Sequence, residues 1–362
     1  MATANTANLT KKINGVSLMA LVFGLLFLAM PNPVFAKYWN GRSLHVKQDS
    51  LKFSTQEENK TPAVPLADIK LDYYGGPVME KTKIVSVYWT KNVDPAIQSR
   101  LKDFYTALMT GTYFEWLSEY NTDIPSVTGK PGTNQKIKAD SFVGDFVIEP
   151  KRTGTVIDDL ELQAELVEQI EKGVLPENTP DTLYMVHFPP GVSITITADN
   201  GDVATSCKEF CGYHGAAVTS KKTPVLYAAM PDFSGRCDVG CGKETTKFDN
   251  FTAAAAHEVV ESVTNPYVSF VTDYDFPLAW YHKTLGEIGD ICVARNGRIA
   301  NAKGETFVVQ AEWSNTRKAC YAPEVKPAVA NPSSSDLTSG DKTSGDATGA
   351  ATASGDKSPA KP

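Results

Sequence analysis

The chain contains none of the short motifs that mark several large enzyme classes. A Gly-x-Ser-x-Gly nucleophile elbow, a phosphate-binding loop and a dinucleotide-binding fingerprint are all absent. An excess of basic residues is also lacking, because the formal net charge is -7. A negative chain is repelled by phosphate groups, so neither nucleic acid nor an anionic membrane is expected as a partner.

The apolar segment near the start is too short for a membrane span. It covers about 15 residues, 16–30, whereas a spanning helix needs about 20. Lys11 and Lys12 precede it, and Val34-Phe35-Ala36 follows as a small-residue cleavage site. The sequence therefore predicts a signal peptide over 1–36 and a secreted or periplasmic protein that has no membrane attachment after cleavage.

Cysteine is scarce, and none of it falls in the predicted signal. The six residues are Cys207, Cys211, Cys237, Cys241, Cys292 and Cys320. An even number in an exported protein indicates disulfides, with a zinc knot of the two Cys-x-x-x-Cys pairs as the alternative. Cys292–Cys320 is the predicted long-range bridge. The other four cysteines either close two short loops or cross-link the two pairs.

Composition divides the rest of the chain into three parts. Residues 37–70 are polar and lack periodicity, which predicts a leader segment. Residues 71–322 hold the apolar patterns and form one predicted globular domain. Residues 323–362 are low in complexity, with Ser-Gly-Asp recurring at 339, 344 and 354, and this composition predicts a disordered tail.

Strand and helix patterns alternate early in the domain and segregate later. Apolar runs predict strands at 83–89, 142–148, 183–188, 192–197, 225–230 and 306–313. Helical spacing and capping residues predict helices from Asp94-Pro95 to Leu108, over 113–120 and over 158–172. The expected fold class is α/β or α+β, a single domain with a mixed sheet that disulfides stabilise.

One further helix carries the residues with the clearest chemistry. Thr252 is its predicted cap, four alanines favour it, and Asn265-Pro266 ends it. His257 and Glu261 are four apart and therefore project side by side. This zincin-like His-Glu-x-x-Glu spacing predicts two zinc ligands, with Glu258 as the catalytic general base. The alternative is a solvated helix face.

A catalytic zinc ion usually takes three protein ligands, so a third must come from another segment. The turn Gly286-Glu287-Ile288-Gly289-Asp290 offers two acids in a glycine-flanked stretch. We expect Asp290 to be the third ligand, with Glu287 as a supporting partner or alternative ligand. His214 is a second candidate. Calcium is the alternative ion, because it prefers oxygen ligands.

Several phrases in the domain resemble the Exordium-like, or phosphate-induced, protein family. They include Tyr74-Gly75-Gly76-Pro77, Val87-Tyr88-Trp89, Ser206-Cys207, Phe210-Cys211-Gly212-Tyr213-His214-Gly215 and Val263-Thr264-Asn265-Pro266. The fuller pattern, with the His257-Glu258 pair, is similar to a microbial branch of exported proteins. The resemblance implies an exported protein, associated in plants with the cell wall and growth. The plant branch lacks the His-Glu pair, so the resemblance leaves catalysis open.

Two functions follow from these observations. The first is a secreted zinc-dependent hydrolase, foremost a metallopeptidase acting on a peptide or protein. The second is a non-catalytic exported protein that binds an extracellular polymer or a partner, with a structural metal ion or none. Metal content distinguishes the two, because only the first requires an ion.

Overall fold

A seven-stranded sheet lies at the centre of the fold in the computed structural model. The structure describes residues 37–39, 42–46, 64–198, 201–268, 278–323 and 325. The predicted signal peptide lies outside the described residues. So does the predicted tail, apart from Pro323 and Val325.

Sixteen strands and four α-helices are described. The strands are β1 Lys37–Trp39, β2 Arg42–Val46, β3 Asp72–Tyr73, β4 Lys81–Tyr88, β5 Lys138–Val147, β6 Val156–Asp158, β7 Thr182–His187, β8 Ser193–Thr197, β9 Val203–Thr205, β10 Phe210–Val218, β11 Pro224–Met230, β12 Trp280–Tyr281, β13 Asn296–Ala300, β14 Thr306–Gln310, β15 Glu312–Ser314 and β16 Ala319–Tyr321. The helices are α1 Pro95–Thr110, α2 Asp159–Glu171, α3 Arg236–Gly240 and α4 Lys247–Thr264.

The central sheet has the order β1-β2-β10-β11-β7-β4-β5. The pairs β11–β7, β7–β4 and β4–β5 are parallel. The pairs β1–β2, β2–β10 and β10–β11 are antiparallel. The predicted mixed sheet and α/β class are therefore confirmed. The predicted leader segment contributes β1, at one edge of the sheet, and its neighbour β2, which its polar composition did not indicate.

Both faces of the sheet are covered, which explains why its central strands read as continuous apolar runs. In β7, Leu183 and Met185 face α1 and α4, while Tyr184 and Val186 face α2. The cap of α2 is Asp158, whose side chain accepts a hydrogen bond from Leu160 N. None of the helices in the described part of the chain combines the length and apolar character that crossing a membrane requires.

Helix α4 starts earlier than its sequence predicts and is buried on all sides. Its cap is Thr246, which accepts from Asp249 N, so the predicted cap Thr252 is wrong. Its end at Thr264 agrees with the prediction. Every residue from Asn250 to Thr264 is buried, which excludes a solvated helix face. The helix packs between β10, β11 and β14, and its alanines permit that close packing.

All six cysteines form disulfides, which excludes the zinc knot. The bridges are Cys207–Cys237, Cys211–Cys241 and Cys292–Cys320. The predicted long-range bridge is confirmed, and the alternative of two short loops is wrong. Cys237 and Cys241 are separated by one helical turn and therefore lie on the same side of the helix. Both face the start of β10, near which their partners Cys207 and Cys211 lie. Three disulfides are typical of proteins that fold in an oxidising compartment.

Removing the bridge between Cys292 and Cys320 is expected to destabilise the fold. The bridge has a sequence separation of 28 residues, and closing a loop of that length is worth about 3–4 kcal/mol. A Cys292→Ser and Cys320→Ser double variant should lose that much free energy of unfolding in urea, measured against the wild type. A loss below about 1 kcal/mol would contradict the loop-entropy argument.

Candidate metal centre

The centre is built on α4, where His257 and Glu261 lie side by side as predicted. His257 Nε2 is 3.2 Å from Glu261 Oε1, and both side chains have no solvent exposure. The side-chain nitrogen of Gln310 lies 2.8 Å from His257 Nδ1 and donates to Gly289 O. Gln310 therefore fixes the imidazole with Nε2 facing Glu261. A hydrogen-bonded neighbour on the second ring nitrogen is usual for metal-binding histidines.

The turn that contains Glu287 and Asp290 meets this pair inside the protein. Asp290 N donates to Glu261 Oε1 at 3.2 Å, and Glu287 N donates to Asp290 Oδ2 at 2.9 Å. One ligand atom each from His257, Glu261 and Asp290 lie within 4.8 Å of one another. These three residues could therefore hold a metal ion between them.

Glu287 lies on the other side of the turn. Its Oε1 accepts from Asn265 Nδ2 at 2.7 Å, and Asn265 is the residue that ends α4. Asn265 Oδ1 also accepts from Ala279 N. Asn265 therefore ties the helix end to the turn.

His214 reaches the same cluster from β10. Its Nδ1 is 3.5 Å from Glu258 Oε2 and 3.6 Å from Glu261 Oε2. Its Nε2 is 3.4 Å from Asn265 O and 3.6 Å from Glu287 Oε1. The sequence offers His214 and the turn as alternative sources of a third ligand, whereas the structure brings both to the helix.

Glu258 has no hydrogen bond within the described residues, although it is fully buried. Neither Oε1 nor Oε2 forms a hydrogen bond, and His214 Nδ1 lies 3.5 Å from Oε2. A Cβ on Gly212 of β10 would lie only 2.9 Å from Glu258 Oε1. Glycine at this position therefore leaves the space that the carboxylate occupies.

Burial sets the protonation states of the cluster. It lowers the pKa of His257 and that of His214 to about 3, so both imidazoles are neutral near pH 7. Burial also raises the pKa of Glu258 well above its usual value, and the charges of Glu261 and Asp290 raise it further. The cluster thus holds neutral imidazoles among several carboxylates, a donor set that binds divalent cations.

The sequence did not single out Gln310 or Glu312, which complete the cluster. Glu312 is fully buried and accepts from Tyr113 Oη at 3.3 Å. Burial raises its pKa well above the usual value, and the charge of Glu261 adds to the effect. The available signal was the pair of polar residues in the apolar run Phe307-Val308-Val309-Gln310-Ala311-Glu312-Trp313.

Close packing at Gly289 holds the turn against α4. A Cβ on this residue would lie 2.3 Å from His257 Nδ1 and 3.0 Å from Glu261 Oε1. Its φ of -80° suits any residue, so glycine is required by space and not by backbone conformation. The turn must move if this residue gains a side chain.

Gly289→Ala is therefore expected to weaken zinc binding by about 10–100-fold, since the ligands lose their alignment. Competition against a fluorescent zinc indicator measures the affinity. Gly154→Ala is the matched control, because its Cβ would come no closer than 3.2 Å to any neighbour. Equal affinities in the two variants would show that the packing of the turn does not set the geometry of the centre.

The chain has no significant match among protein-family models, curated proteins or solved structures. The resemblance to the Exordium-like family therefore stays a prediction from the sequence. The structure defines a mixed α/β protein with three disulfides and a buried cluster of histidines and carboxylates.

Proposed function

We propose that this chain is an exported metal-dependent hydrolase of the zincin-like kind, with a peptide or protein as its substrate. The observation that carries the proposal is the convergence of His257, Glu261 and Asp290, whose ligand atoms lie within 4.8 Å of one another. Beside them, Glu258 is a buried carboxylate with no hydrogen bond among the described residues. One histidine, two acids and an adjacent carboxylate match the needs of metal-assisted hydrolysis.

Zinc is the ion that the donor set favours. An imidazole nitrogen with two carboxylate oxygens suits zinc and related transition ions, whereas calcium takes oxygen ligands alone. The close fit of Gly289 against His257 Nδ1 supports a position built for these ligands and not a chance grouping of acids. Calcium, the alternative ion from the sequence, is therefore the weaker candidate.

Hydrolysis would divide the work between the ion and Glu258. A bound divalent ion polarises a carbonyl group and lowers the pKa of water. Glu258 would accept a proton from the attacking water on one of its two oxygens, since neither is engaged by a hydrogen bond in the described structure. Gln310 would keep His257 oriented during the reaction through its contact with Nδ1.

A concave surface shares Gln310 with the centre. A cavity of about 170 Å³ is lined by Gln310 and by Ala253 and Ala254 of α4. Ala253 lies one helical turn before His257, so the cavity adjoins the centre. We propose that substrate approaches from this side.

Export belongs to the same proposal. The lysines, apolar run and cleavage site within 1–36 predict a signal peptide, and the three disulfides support folding in an oxidising compartment. Sequencing the N-terminus of exported protein tests this part. A start at Lys37 is expected, and retention of Met1 would contradict it.

Complete burial of the ligands favours a second candidate function. His257, Glu261 and Asp290 have no solvent exposure. A structural ion would suit such a position, and the protein would then be a non-catalytic exported protein that binds an extracellular polymer or a partner. Structural zinc sites are closed, whereas catalytic sites keep one position for water.

A strip-and-reload assay separates the two functions. The exported chain is freed of metal by a chelator, divided, and reloaded with zinc or with calcium before incubation with a mixed peptide library. The hydrolase proposal predicts peptide cleavage only after zinc is restored. A zinc-loaded protein that gains thermal stability but cleaves no peptide would support the structural ion.

A further inference from the structure

A second group of ligand atoms lies on the opposite side of Glu261. One atom each from His214, Glu258 and Glu261 lie within 4.8 Å of one another, and all three side chains are fully buried. Glu261 belongs to both groups. Its Oε1 lies beside His257 Nε2, and its Oε2 lies beside His214 Nδ1. The two groups therefore use different oxygens of one carboxylate.

The ring of His214 is held so that one nitrogen faces this group. Its Nε2 is 3.4 Å from Asn265 O and 3.6 Å from Glu287 Oε1. Its Nδ1 has no hydrogen bond in the described structure and points to Glu258 and Glu261. A backbone carbonyl beside one ring nitrogen, with the other nitrogen directed at acids, is the usual setting of a metal-binding histidine.

The buried carboxylate of Glu258 is a second observation that points to a bound cation. Both of its oxygens are buried and make no hydrogen bond with any described residue. An unpaired polar group in the interior costs free energy, and an ionised carboxylate costs more. Gly212 leaves room for this carboxylate, because a Cβ there would lie 2.9 Å from Glu258 Oε1. A cation beside Glu258 would offset that cost.

We propose that a second divalent cation binds between His214, Glu258 and Glu261, and that its binding inhibits hydrolysis. The cation shares Glu261 with the first ion and engages the carboxylate that serves as general base. This second cation is zinc or a similar transition-metal ion, since His214 provides a nitrogen ligand. The inhibitory part of this inference rests on the proposed function.

The second cation binds more weakly than the first. Two dications that share one carboxylate repel each other, and the interior screens that repulsion less than water does. The first site therefore fills at low zinc concentration and the second when zinc is in excess. Activity is expected to rise and then fall as zinc is added, which makes the centre responsive to extracellular zinc.

Calorimetric titration of the chelator-stripped full chain with zinc chloride tests the second site. The wild type should bind two ions in two separate steps, and His214→Gln should bind one. His187→Gln is the matched control, because His187 is also buried in a strand of the central sheet but belongs to neither group. It should retain both steps.

Peptide hydrolysis is followed over the same zinc range. In the wild type the rate should fall at least about tenfold as the second step fills, because Glu258 is withdrawn as the base. In His214→Gln the rate, whatever its starting value, should no longer fall in excess zinc. Gly212→Ala provides a second variant if His214→Gln does not fold, since its added Cβ displaces Glu258 Oε1 and should weaken only the second step.

The outcomes separate this inference from the proposed function. A single ion in the wild type, with activity that persists in excess zinc, overturns the second site and leaves the hydrolase intact. Two ions in both the wild type and His214→Gln also overturn it, because the second ion then binds elsewhere. No bound ion in any variant overturns the second site and the proposed function together.

Discussion

Glu258→Gln is expected to lower peptide hydrolysis by about 10²–10⁴-fold while the ion of the first site stays bound. Glutamine has nearly the same shape as glutamate but cannot accept the proton of the attacking water. Glu258 does not belong to the group formed by His257, Glu261 and Asp290, so that group should keep its affinity. The assay uses protein loaded with one zinc ion per chain.

Glu165→Gln is the matched control for this experiment. Glu165 is also fully buried, but it pairs with Arg152 and lies on α2, across the sheet from the metal centre. Its replacement changes a buried carboxylate without touching the centre. An equal loss of hydrolysis in both variants would show that the loss in Glu258→Gln comes from general destabilisation. Full activity in Glu258→Gln would remove Glu258 as the base.

Zinc is expected to stabilise the folded chain strongly. At a free zinc concentration about 1,000 times Kd, binding to the native state adds about 4 kcal/mol to the free energy of unfolding. His257→Ala should reduce this gain, because the first site loses its nitrogen ligand. Urea unfolding with zinc and with a chelator measures the difference for each protein.

His187→Ala serves as the control for the loss of a buried imidazole. His187 packs against Tyr105 and Phe251 in the core. Its truncation should reduce stability and yet preserve the response to zinc. If His257→Ala gains as much stability from zinc as the wild type does, the ion binds elsewhere and the proposed first site is wrong.

The strands of the central sheet are predictable because their apolar runs are local and strong. The run 183–188 corresponds to β7, and 225–230 corresponds to β11. The start of α4 was missed for a tertiary reason. Propensity places the start at the alanines, but Phe248 and Phe251 extend the helix by packing against Phe307 and Phe233.

Spacing along one helix predicts the residues that α4 contributes to the centre. It does not predict which residues of other elements contact them. His257, Glu258 and Glu261 follow from spacing along one helix. His214 lies on β10 and Gln310 on β14. Their contacts with α4 depend on how the central sheet and the antiparallel pair β13–β14 pack against that helix. Local spacing carries no information on such long-range contacts. Asp290 could be proposed from the sequence because a glycine-flanked turn can approach a helix closely.

Element analysis of the exported full chain tests the central claim most directly. The protein is purified without chelators, incubated with zinc, freed of loosely bound metal by gel filtration, and compared with a His257→Ala and Asp290→Asn double variant. At least one zinc ion per chain is expected in the wild type, and less zinc per chain in the double variant. A wild type that retains no metal ion, or a double variant that retains as much zinc as the wild type, would contradict the central claim.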